Sequence, residues 1–136
     1  MKVTMKNEEF IQIFQGLVAV KALKGVKFGI LVAKNIKVIQ TELQFIEEAG
    51  KPSPEFIKLS QEMEPLVKTD QVAQIKALEE RHADLVDARK AQLAEVEQLM
   101  DSENSLDLFE IPESVLPEEI SAEQIMNLEK LIKWQH

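Results

Sequence analysis

Glu79 and His82 stand three residues apart in a helical stretch, the spacing that turns a carboxylate and an imidazole toward one metal ion. A di-metal bundle needs that motif twice, with two further carboxylates, and the one other histidine is His136. His82 is therefore expected as a seam or surface histidine, and no metal site is expected. The serines carry no G-x-S-x-G elbow, and Ser53 and Ser121 are already explained as helix caps. Cysteine is absent, which removes disulfides, thiolate ligands and a thiol nucleophile. Four isolated glycines cannot build a phosphate-cradling loop. These residues point to a chain that is not an enzyme, with no catalytic residues and no cofactor.

Charge is more informative. The net charge is −8, yet Phe10–Thr41 carries five lysines and no acid, whereas Ala91–Glu129 carries eleven acids and no base. Lys21, Lys24, Lys27, Lys34 and Lys37 fall within about 200° of a helical wheel if one helix runs through them. That stripe could track phosphates, with a log–log salt slope of about −4.5 for five contacts. It could equally be solvated, neutralised by the acidic stretch, or the contact surface for a partner. No aromatic interleaves with these lysines and arginine is scarce, which weighs against nucleic acid.

The elements that would position these groups are mostly helical. Ala, Leu, Glu, Lys and Gln are plentiful, Tyr is absent and aromatics are scarce. The spacing predicts a short strand at Lys2–Met5, then a helix capped by Asn7, with Phe10, Ile13, Phe14, Leu17 and Val20 on one face. Gly16 either weakens that helix or marks a close approach. Gly25 is expected to close it as a left-handed cap. A central helix from about Val26 to Ala49 is the spine, with a stripe of Val32, Ile36, Ile39, Leu43 and Ile46 widened by Phe28 and Leu31.

Gly50 and Pro52 end the spine, and Ser53-Pro54-Glu55 restarts a helix faced by Phe56, Leu59 and Met63. Pro65 should kink or end it. Thr69 or Asp70 should cap the next helix, running to about Met100 with the stripe Ile75, Leu78, His82, Leu85, Arg89, Gln92, Val96 and Leu99. Three of those eight are polar, so the seam reads as weak. A helix of about 30 residues is ~45 Å long, longer than a domain of this size is wide, at roughly 37 Å. It must break or project. The expectation is a helical hairpin over 53–101 projecting within a single domain, with Ile75, Leu78, His82, Leu85 and Val96 as a partner interface.

Leu106–Ile111 reads as a second strand, paired with the first and stopped by Pro112. Ser121 and Gln124 form a capping box for a last helix, whose Ile125, Leu128, Leu131 and Ile132 face inward. The fold class is therefore mainly α: about five helices around a central one, with a small two-stranded sheet joining N-terminal and C-terminal segments. The longest apolar run, Phe28–Ala33, is too short for a membrane span. Glu8 and Glu9 follow Lys2 and Lys6 where a signal peptide would need an apolar core, so no secretion by a signal peptide is expected.

The strand, then KNEEFIQIFQGLVAV (Lys6–Val20), LKGVKFGILVAKN (Leu23–Asn35), PSPEF (Pro52–Phe56) and LPEEISAEQIMNLEKLI (Leu116–Ile132) together resemble a family of small proteins encoded by tailed bacteriophages, a domain of unknown function. The resemblance spans most of the chain outside Lys68–Ser105. It implies a phage accessory protein, in the host cytoplasm or with the virion, and supplies no catalytic or binding residues. The expected partner is a host or phage protein, with self-association as one form of it; nucleic acid is the alternative, and no membrane is expected.

Overall fold

The computed structural model describes residues 1–135 and is mainly α-helical. Among these residues run β1 (Lys2–Lys6), α1 (Asn7–Val20), α2 (Val26–Glu42), α3 (Gln44–Gly50), α4 (Pro54–Lys68), α5 (Val72–Arg81) and α6 (Ala83–Asp101). They are followed by β2 (Glu103–Asp107), β3 (Ile111–Pro112), α7 (Ala122–Asn127) and β4 (Ile132–Lys133). The chain divides into two compact units, one of Met1–Phe45 with Met100–His136 and the other of Ile46–Leu99.

In the first unit β1 and β2 pair antiparallel, Lys2 opposite Asp107 and Lys6 opposite Glu103. The strands thus set unlike charges face to face at both ends. The Lys6 ammonium reaches Asp101 at 2.7 Å. That hydrogen bond, and then the carboxylate's charge, raise its pKa. The sign follows: this pair's contribution is whole below the ordinary lysine value and is lost as pH climbs through the raised one. Asn7 is not the cap that its type suggested. Lys6 holds the N-cap position without a side-chain bond, while buried Asn7 accepts from the Asn104 amide at 3.2 Å.

The core lies where α1 packs against α2 and α7. Phe10, Leu17 and Val20 from α1, Phe28 and Val32 from α2, and Leu128 and Leu131 beyond α7 are all nearly or wholly inaccessible. Gly16 marks the close approach: a Cβ there would lie 3.1 Å from that of Asn127. Gly25 does adopt a left-handed φ of 128°, but as the N-cap of α2, since α1 has already stopped at Val20. Ser121 and Gln124 form the expected capping box. The last helix is shorter than its apolar spacing implied. After α7 the chain tightens into a 3-10 turn at Glu129–Leu131, and Ile132–Lys133 pairs in parallel with Ile111–Pro112. Pro112 therefore does not stop the pairing with β1; it is the last residue of this second, short ladder.

The second strand is also displaced. β2 stops at Asp107, and Leu106, Leu108 and Ile111 are all buried, whereas Phe109 is 40% exposed. Strict alternation fails because the strand ends at Asp107 and the residues from Leu108 to Glu110 leave the ladder. Asn35, wholly buried on α2, receives Phe109 there: its amide donates to the Phe109 carbonyl at 2.9 Å, and the Phe109 N–H donates to its oxygen at 2.7 Å. One side chain so satisfies both the N–H and the carbonyl of that residue.

In the second unit Ser53 caps α4, accepting from the Phe56 N–H at 3.1 Å, with Pro54 at the first turn. Pro65 neither ends nor stops the helix, which continues to Lys68. Both Pro65 and Gln61 are exposed, so water can take the carbonyl that proline leaves unbonded. Neither Thr69 nor Asp70 caps α5. Thr69 donates back to the Pro65 carbonyl at 2.8 Å, Asp70 turns through a left-handed φ of 53°, and Gln71 precedes α5. The long helix breaks, at His82, with φ −119° and ψ 35°. The spine breaks likewise at Leu43, with φ −103° and ψ 8°. Two such breaks turn five expected helices into seven among the described residues.

Candidate interaction surface

The lysines do not share one helix. Lys21 and Lys24 lie in the turn between α1 and α2, and Lys27, Lys34 and Lys37 lie on α2, so the single wheel through all five does not exist. What α2 presents is an outer face opposite its core. Phe28, Val32, Asn35 and Ile39 are buried, and at helical spacing this sets Val26, Ile30, Lys37 and Thr41 outward. Lys27 and Lys34 flank that line two turns apart, and Gly29 and Ala33 lie on its other side. Val26 is 80% and Ile30 50% exposed. Nothing stands within 4 Å of where a Gly29 Cβ would be, so another backbone has room to come close.

All five lysines are exposed, and among the described residues none is within ion-pair distance of an acid. Lys34 instead sits over the Phe109 ring, 5.1 Å from its centroid. Asn35, the next residue, holds the Phe109 backbone, so one turn of α2 fixes both the ring and the cation above it. Residue types missed this aromatic because it lies far away in the chain. Asn35 itself had a signal, as an amide in the middle of the apolar stripe of α2.

The candidate interface on the later helices is mostly turned inward. Leu78 is 7% exposed, and Ile75, His82, Leu85 and Val96 are half-buried within the second unit. The last four each keep part of their surface accessible. The polar positions of that seam are not weak points. Arg89 donates to the Gly50 carbonyl and to the Gln92 side chain, both at 2.8 Å, and stacks 5.7 Å from the Phe56 ring. Gln92 donates to the Ala49 and Lys51 carbonyls. A cation and an amide thus satisfy the unpaired carbonyls at the C-terminus of α3, where the helix dipole favours positive charge.

A cavity of about 430 Å³ in the first unit is lined by Met5, Glu9, Ile13, Met126, Glu129 and Lys130, among others. Glu9 and Lys130 pair within it at 3.2 Å. No imidazole or hydroxyl lines it. Among the described residues no three potential ligands gather closely enough to hold a metal ion, Glu79 and His82 included. No helix among them is long and apolar enough to cross a membrane. No family model, curated protein or solved structure matches the chain.

Proposed function

We propose that this chain is a non-catalytic accessory protein of a tailed bacteriophage, working in the host cytoplasm or with the virion by binding another protein, host or phage, and able to self-associate. The observation that supports it is the outer face of α2. Lys27 and Lys34 on one flank and Lys37 in line, none with an acid within reach, lie beside Val26 and Ile30, which are 80% and 50% exposed. Exposed apolar side chains are common on protein surfaces; what supports a contact here is that these two lie in line with unpaired cations on one helix face. Removing the two aliphatic side chains from water would stabilise a contact by roughly 25 cal/mol per Å² before ordering costs. The test is an affinity-tagged chain in infected cells, cross-linked, with partners identified by mass spectrometry. A partner retained by the native chain and lost on Lys27→Glu, Lys34→Glu and Lys37→Glu together supports the reading. Capture indifferent to that reversal counts against it.

Nucleic acid is the second reading, and the specific observation in its favour is Phe109, which the fold sets beside Lys34. Titration of labelled DNA and RNA at two salt concentrations decides it. Submicromolar binding with a log–log slope of about −4 favours it, and absence of binding at low salt ends it.

A further inference from the structure

We infer that the occupant of the α2 lysine face is a second copy of this chain, presenting its own acidic surface around the start of α7. This rests on the reading of α2 as a protein-docking face. Glu118 and Glu119 stand in the turn before the Ser121 cap and Glu123 in the first turn of α7; all three are exposed, and among the described residues none is ion-paired. Met126, one turn beyond Glu123, is 71% exposed. The chain therefore carries both halves of one contact. One is cationic around Val26 and Ile30; the other is anionic around a flexible thioether that fits irregular apolar surfaces. Within a copy these halves leave each other's charges unmet.

The symmetry of the contact follows from the signs. A two-fold contact of α2 on α2 would set lysine against lysine, at a cost for each pair. Joining unlike surfaces is heterologous, and head-to-tail contacts propagate into a ring or an open chain. Copies of net charge −8 also repel one another as wholes. That repulsion reaches about 30 Å at 0.01 M salt but only about 8 Å at 0.15 M, while paired groups at contact lie inside the shorter range. Association is therefore weak in very dilute salt, strongest near physiological ionic strength, and weak again near 1 M. A purely apolar contact would strengthen with salt throughout.

The experiment is light scattering and sedimentation of the full-length chain across concentration and salt. It is repeated with Lys27→Glu/Lys34→Glu/Lys37→Glu, with Glu118→Lys/Glu119→Lys/Glu123→Lys, and with their mixture. Circular dichroism confirms that each variant is folded. The expected result is concentration-dependent assembly of the native chain with a maximum at intermediate salt, weakened about a hundredfold in each reversed variant. The mixture should recover it, because the first variant's glutamates then meet the second variant's lysines at both kinds of contact. A native chain that stays monomeric at millimolar concentration overturns the inference, as does assembly that survives either reversal. If the monomer still holds a cellular protein through its α2 lysines, self-pairing falls and the docking reading stands. Lysine-dependent binding of duplex DNA by a monomer overturns both.

Discussion

The two units of this molecule are held together in different ways. Eighteen apolar side chains are buried among the described residues, and only Ile46, Leu59 and Leu78 belong to the Ile46–Leu99 unit. The other fifteen belong to the unit built from the two ends of the chain. There, helices approach closely enough that a Cβ at Gly16 would crowd Asn127, and wholly buried Asn35 holds the Phe109 backbone at the edge of the core. The middle unit relies on a line of half-buried residues along α5 and α6, with no residue of α6 fully buried, and on the Arg89–Gln92 clamp. Segments with few buried apolar contacts open locally at low free energy. The end-built unit is therefore the rigid one, and it is the one that carries the lysine face. A docking surface gains from rigidity, because less freedom is lost on binding.

The contrast is broken or sharpened by substitutions. Phe28→Ala, at a side chain 1% exposed, should cost about 3–5 kcal/mol in denaturant unfolding, the largest single effect. Asn35→Ala strands the N–H and the carbonyl of Phe109 and should cost about 2–4 kcal/mol; Asn35→Leu, which fills the space, should recover little. Leu59→Ala should cost about 2 kcal/mol, the low end for a buried leucine, because its thin surroundings can collapse around the gap. If Leu59→Ala equals Phe28→Ala, the two cores are not different in kind. Arg89→Ala should cost about 1–2 kcal/mol. Its signature is faster amide hydrogen exchange in α3 and α6, with the β1–β2 ladder unchanged. Lys27→Ala should change stability by less than about 0.5 kcal/mol while weakening association, which separates the face's role in binding from any role in folding.

Much of this architecture was legible because it is written locally. Ser53-Pro54 and the Ser121–Gln124 box act on the next turn of the chain, so residue type and spacing suffice. The stripe from Ile75 to Leu99 was legible for the same reason: helical period alone decides which side chains share a face. Length against domain size allowed either a break or a projection of the long helix, and the break at His82 is what the fold supplies.

What only the tertiary structure decided are the long-range pairings. Asn7 is a cap by type and a junction amide by environment. Leu43 carries no glycine or proline, yet the spine breaks there, at the edge of its unit. Asn35 and Phe109 lie 74 residues apart and are joined by two hydrogen bonds that no local pattern encodes. Lysine type marked a basic segment, and Gly25 already divided it, but only the fold ended α1 at Val20, before Lys21, and left the whole cluster without an acid in reach. Propensity and period are summed over a few neighbouring residues. Burial and charge pairing depend on which distant segments arrive alongside.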